Sequence, residues 1–361
     1  MKTLITFHNP ELARLIYNGE ALDRLKSISE VDWLEDPGEL EARIRDYDAC
    51  ISSWGSPKIT QRVLTKAERL KFIGHAAGTV VPYVDEEVFG RKITVVNANS
   101  ALSRATAEGT VEVMEAGFPI LLEKPPGLCR AETLNMIGTA KRTGVINQVA
   151  FNRRYLPLMS TLKKEISLHA RGTVQNLFYE FYRFGRREPS FETTAIHGID
   201  AAKYILGSDY KEVRFTYQEL PRLGEKVANI LLECVFENGV TARLNFCPCT
   251  GVVTERFCVT ALDQTFFLRT PIWDGMDAPG EYLHMKGCAV QSRISGSDLT
   301  DSQEMFETNG FYQENFDFFE NVRAKRKSEN DISSALQSVE IAEAIKLRAP
   351  VWKQDGGVEA G

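Results

Sequence analysis

Residues 115–127 read EAGFPILLEKPPG. A polar helix end and a glycine lead into a short apolar run, and Glu123-Lys124-Pro125 stands at its tip, where a strand leaves its sheet. A lysine held at such a point is partly desolvated, which lowers its pKa toward values useful for taking up and returning a proton, while the neighbouring carboxylate orients it. The bland alternative is an exposed lysine at a strand end, and the tripeptide alone does not exclude it.

Upstream, from residue 3 to about 150, short apolar runs (TLITF, VDWL, ACISSW, LKFIGHA, ITVVNA, PILLEKP, VINQVAF) alternate with amphipathic stretches such as AETLNMIGTAKRTG. That alternation predicts a parallel sheet with helices on its faces. Downstream of Phe151 the strands lengthen and alternate, and Asn238-Gly239 sits where a hairpin turn needs positive φ. The fold class is therefore α/β. A doubly wound, mostly parallel sheet domain, Rossmann-like or flavodoxin-like, spans residues 1–150. An α+β domain with a large, mainly antiparallel open-faced sheet spans 151–352, and 353–361 reads as a flexible tail. The sheet between residues 173 and 270 has aromatic residues on both faces, so one face is expected to pack on helices and the other on a second copy, giving a homodimer or higher oligomer.

The formal net charge is −6 and the basic residues are spread along the chain, which argues against nucleic acid as a partner. Seven cysteines without a CxxC spacing fit a reduced, cytoplasmic protein. MKTLITFHNPELARL has no long apolar core of a signal peptide and no stretch calls for a membrane. The five histidines show no metal-ligand spacing, so no metal is expected.

No Gly-x-Gly occurs in the 361 residues, nor a GxxxxGK[ST], HExxH or GxSxG motif. A dinucleotide pyrophosphate normally needs close glycine backbone and a helix N-terminus, so any nicotinamide cofactor is expected to bind weakly. GHAAGTVV, residues 74–81, is the nearest glycine-containing turn: an anion loop or a plain tight turn. In TTAIHGIDAAKYILG, His197 and Asp200 lie one helical turn apart before the stop at Gly207, an arrangement that could orient the imidazole. A lone histidine on such a helix is more often a satisfied core residue.

The order EGTVEVMEAGFPILLEKPPG, VINQVAFNRRYLP, IHGIDAAKYILG and then a large antiparallel sheet resembles the Gfo/Idh/MocA family of NAD(P)-dependent oxidoreductases, over residues 108 to 352. The resemblance implies hydride transfer between NAD or NADP and a sugar, cyclitol or related polyol, with Lys124 as proton carrier, Glu123 beside the cofactor and His197 facing the substrate. That family often has Asp four residues before the histidine; here it is Thr193. Asn97 and Asn99 are further candidate cofactor contacts, and Arg153 and Thr193 candidate substrate contacts. Residues 1 to about 105, through DYDACISSWGSPKITQRVL and LKFIGHAAGTVVPYVD, resemble instead the N-terminal flavodoxin-like domain of D-2-hydroxyacid dehydrogenases. The chain thus reads as a hybrid with a crossover between about Asn97 and Ala116. The competing functions are a non-catalytic hybrid that binds a small ligand or only dimerises and, third, a D-2-hydroxyacid dehydrogenase relative.

Overall fold

The computed structural model describes residues 1–7, 13, 16–17, 19–76, 80–97, 99–273, 275–354 and 357–359. The chain separates into two compact units, Met1–Thr106 and Ala107–Gly361. The first unit is a five-stranded parallel sheet of β1 (Lys2–Ile5), β2 (Glu30–Trp33), β3 (Ala49–Ser52), β4 (Phe72–His75) and β5 (Thr94–Asn97), in the order β2-β1-β3-β4-β5. This is the flavodoxin-like strand order, whose switch point lies between β1 and β3. Leu4, Cys50 and Ile73 from three adjacent strands form the centre of its core with Leu40, Ile44 and Leu64.

All seven runs expected between residues 3 and 150 form strands, but in two separate ladders rather than one sheet. β6 (Ile120–Glu123) and β7 (Asn147–Ala150) pair in parallel with each other and belong to the second unit. Helix α1 (Gly19–Ile28) belongs to the first unit; the helices on either side of β6 are α2 (Asn99–Glu115), within which the two units divide, and α3 (Arg130–Thr143). Gly144 closes α3 at φ 68°, donating its N–H to Ala140 O, so the chain reverses into β7. Met114, Leu122, Met136, Ile137, Val149 and Phe151 share one core, which fixes the end of β6 against its surroundings.

The large sheet has ten strands: β8 (Val174–Tyr182), β9 (Tyr210–Glu219), β10 (Ala228–Phe236), β11 (Thr241–Cys247), β12 (Thr254–Ala261), β13 (Gln264–Arg269), β14 (Glu281–Lys286), β15 (Ala289–Ser295), β16 (Val351–Lys353) and β17 (Gly357–Glu359). Its order is β15-β14-β13-β12-β8-β11-β10-β9-β16-β17, antiparallel throughout except between β8 and β11. Gly239 turns at φ 83° between β10 and β11. The tail is not free: Val351, Trp352 and Lys353 pair with Glu359, Val358 and Gly357, because β9 offers β16 an edge and β16 offers β17 the next. Residues 355–356 and 360–361 lie outside the described residues.

Along β8, Leu177, Tyr179 and Phe181 point into the core while Phe178 stays exposed. The inner face meets α4 (Pro157–His169), α5 (Glu192–Leu206) and α7 (Leu336–Lys346). Leu231, Val235, Phe267 and Val290 are exposed with Phe178, as expected of an open-faced sheet. Helix α5 comes so close to the sheet that a Cβ on Gly198 would overlap the Tyr179 ring and lie 2.7 Å from Phe246. Gly198→Ala should therefore destabilise the second unit by about 1–3 kcal/mol, read as a lower urea midpoint at unchanged slope.

Candidate active site

The turn that follows β6 is built around Gly127. At φ 91°, it packs so closely that a Cβ would lie 3.0 Å from both Glu132 and Thr133. Thr133 Oγ1 donates to Pro126 O at 2.6 Å and Leu128 N–H to Glu132 Oε2 at 2.7 Å, tying the turn to the first turn of α3. The half-buried Lys124 enters this framework with Nζ donating to Thr193 O at 3.0 Å. Thr193 thus meets Lys124 through its carbonyl, while its hydroxyl donates to Ser190 O at 2.8 Å. Burial lowers the Lys124 pKa to about 8; Arg153, Arg186 and Arg183 push the same way, and Glu123 opposes them.

His197 stands on α5, one turn beyond Thr193. Burial first, then the charges of Arg153, Lys124, Arg183 and Arg186, hold its pKa well below the ordinary value, so the ring is neutral. Its Nδ1 is buried without a hydrogen-bond partner. Asp200 does not orient this ring as the sequence suggested. Its carboxylate takes Arg154 instead, Nε to Oδ2 at 2.7 Å and Nη2 to Oδ1 at 2.5 Å, because the two buried charges neutralise each other.

Arg153, on the turn after β7, donates through Nη2 to Glu255 Oε1 at 2.8 Å and through Nη1 to Asn152 Oδ1 at 2.9 Å. Arg183 joins the same Glu255, and Tyr179 Oη donates to Glu255 Oε2 at 2.9 Å. Burial opposes the Glu255 charge, yet the guanidiniums of Arg153 and Arg183 outweigh it and hold the pKa at about 2. Glu314, on α6 (Phe311–Ala324), is also buried, and its Oε1 has no partner. Burial and the nearby Glu123 raise its pKa to about 8 against the pull of Arg153.

Lys124, His197, Thr193, Arg153 and Glu123 therefore fall in one electrostatic neighbourhood within the second unit. The sequence reading missed Arg183, Glu255 and Glu314. A carboxylate at an inward position of a strand was a usable signal for Glu255, and RFGRR for Arg183; Glu314 hides in an aromatic helix, GFYQENFDFF. The side chains of Asn97 and Asn99 lie outside the described residues. Among those described, no three His, Cys, Asp or Glu side chains form a metal-binding group, and no helix is long and apolar enough to cross a membrane.

A parallel sheet in one unit and a mostly antiparallel sheet in the other are the fold shared with structural neighbours of Gfo/Idh/MocA type. The family model described as D-isomer specific 2-hydroxyacid dehydrogenase, catalytic domain, matches residues 14–341, and the chain belongs to that family. Among curated relatives, an uncharacterized oxidoreductase, YrbE, of Bacillus subtilis is 28% identical over 149 residues, 36% of this chain and 42% of the relative. D-3-phosphoglycerate dehydrogenase of Methanocaldococcus jannaschii is 36% identical over 116 residues, 30% and 22% of the two chains. The chain thus spans less than half the length of either relative. A levoglucosan dehydrogenase solved in complex with NADH shares the fold, with a TM-score of 0.58 and 16% identity over 95% of this chain and 86% of that one.

At the carboxyl edge of the first unit, several backbone N–H groups of the described turns already have partners. Ser53 N–H donates to Ser56 Oγ at 2.9 Å, Thr6 N–H to Ile51 O at 2.9 Å and Ala76 N–H to Ser52 O at 2.7 Å, so these donors are spent within the chain. Residues 77–79 of GHAAGTVV lie outside the described residues.

Glu314 generates a stability prediction with a definite sign. Its folded pKa of about 8 lies above the ordinary 4.5, so the folded chain retains a proton that the unfolded chain releases, and stability falls as pH rises between those values. Glu314→Gln removes this loss. The variant should gain stability over the native protein between pH 5 and pH 8.5, by up to a few kcal/mol, in thermal unfolding scans.

Proposed function

We propose that the chain is an oxidoreductase that moves hydride between NAD or NADP and a CH–OH group of a sugar, cyclitol or related polyol, with Lys124 as proton carrier and His197 as its substrate-facing partner. The observation that carries this reading is Lys124 itself, whose Nζ is held by Thr193 O with a pKa of about 8. Near neutral pH such an amine can take a hydroxyl proton during oxidation and return it during reduction. Neutral His197, with Nδ1 free of other partners, supplies a hydrogen-bonding position for a substrate hydroxyl. Glu123 stands at the same strand end and orients the lysine. A bound nicotinamide would supply the two-electron acceptor; the described turns offer its pyrophosphate little, so weak cofactor binding is part of the proposal.

The family match favours a second reading, in which the CH–OH group belongs to a 2-hydroxy acid. The exposed apolar residues of the large sheet support a further element, a homodimer or larger assembly through that face, since an apolar surface of this kind is rarely left to water. Light scattering at micromolar concentration should give at least twice the mass of one chain; a monomer would remove this element.

The decisive experiment is on Lys124. Lys124→Ala should lower turnover of a polyol at least ~100-fold while NADH affinity, followed by fluorescence, stays nearly unchanged. Lys124→Arg should not restore activity, because a guanidinium does not release its proton near neutral pH. Equal turnover in Lys124→Ala and the native protein would remove the assignment.

A further inference from the structure

Helix α6 buries Glu314, Phe318 and Asn321 on one side and leaves a second apolar stripe on the other. Tyr312, Phe316 and Phe319, spaced four and three residues apart, fall on one face of the helix and are between 47% and 61% exposed. Phe306, in the short helix Met305–Thr308 just before, extends the stripe and is 48% exposed. Its ring lies 6.1 Å from that of Tyr312, edge-on, and Tyr312 stacks on Phe316 at 6.1 Å. Single exposed aromatic residues are ordinary, but rings in mutual contact make a continuous apolar surface, which a protein rarely leaves to water. The stripe is also held in place. At Gly310, φ 79°, a Cβ would lie 2.6 Å from Asn152 O, and Asn152 Nδ2 donates to Asn309 O at 2.9 Å, so the start of α6 is pressed onto the turn after β7.

The two ends of the stripe carry opposite charge. Asp301 and Glu304 are exposed before its first ring, and Arg323, Lys325 and Arg326 beyond its last. Among the described residues Asp301, Glu304, Lys325 and Arg326 form no ion pair, and Arg323 reaches only Glu320 at its own end. A surface that is acidic at one end, basic at the other and apolar between is complementary to itself turned end for end. A two-fold axis crossing α6 near residue 314 brings Phe316 onto the partner's Tyr312 and Phe319 onto the partner's Phe306. The same rotation brings Arg323 and Lys325 onto the partner's Glu304 and Asp301, and every contact occurs twice. A parallel pairing would instead set like charges side by side.

We propose that α6 is a self-association surface on which a second copy of this chain lies antiparallel. The contact is separate from the open face of the large sheet and depends neither on that face nor on any chemistry at Lys124. With 14 residues, α6 is about 21 Å long, so a stripe one helix wide belongs to the small class of specific interfaces and should hold in the micromolar range.

Sedimentation of the full chain tests this on a Phe178→Glu background, which places a charge on the exposed sheet face and leaves α6 intact. That chain should still dimerise, and adding Phe316→Glu should raise its Kd ~10-fold or more. Glu304→Lys and Lys325→Glu should each weaken the dimer several-fold by facing like charges, whereas the two together should return it to within ~3-fold of its parent. All four positions are exposed, so thermal unfolding should stay unchanged throughout. A Phe178→Glu chain that is monomeric at about 100 μM would leave the stripe to a different protein or to solvent and overturn the proposal. A dimer indifferent to Phe316→Glu, or a charge reversal that the double substitution does not rescue, would overturn it as well.

Discussion

The Glu255 carboxylate, buried on β12, is the contact on which the site depends. It accepts from Arg153 on the turn after β7, from Arg183 at the end of β8 and from Tyr179 in the middle of β8. One side chain thereby ties the end of the small parallel pair to the centre of the large sheet. Removing one partner of such a pair typically costs about 3–5 kcal/mol, because the other charge is left buried alone. The same guanidiniums act on Lys124 and His197, so the interaction that joins the two sheets adds to burial in lowering the pKa of the candidate proton carrier.

Two buried glutamates in this unit behave in opposite ways. Glu255 is held ionised by two guanidiniums, and Glu314 is held neutral by burial and Glu123. Burial alone would raise both. What separates them is the number of cations within hydrogen-bonding reach: two for Glu255, whereas the buried Oε1 of Glu314 has no hydrogen-bond partner. Side-chain type thus says little here about charge.

The elements were legible wherever local chemistry decides them. The seven short runs before residue 151 form strands, Gly144 and Gly207 stop their helices in the left-handed region, and Asn238-Gly239 makes the hairpin turn. The place of Lys124 at the end of a strand was legible because a strand end followed by Pro is a local pattern. The grouping of strands into ladders was not, since β6 and β7 look like continuations of the first sheet and only packing assigns them elsewhere. The partner of Asp200 was hidden for a similar reason: helical spacing pointed to His197, but Arg154, 46 residues away in sequence, wins the carboxylate by charge.

The parallel pairing of β8 with β11 has a consequence for the order in which the sheet can assemble. Asn176 lies opposite Thr241, 65 residues later, while the hairpin of β10 and β11 closes across a turn of a few residues. Loop-closure entropy favours the hairpin first, and the antiparallel run from β12 to β15 is equally local. β8 has no sequence neighbour to pair with and must wait for both halves, so it is the seam at which two independently formed meanders join. Until that seam closes, both of its edges offer unpaired backbone to other chains, which makes assembly of the second unit the stage most exposed to aggregation.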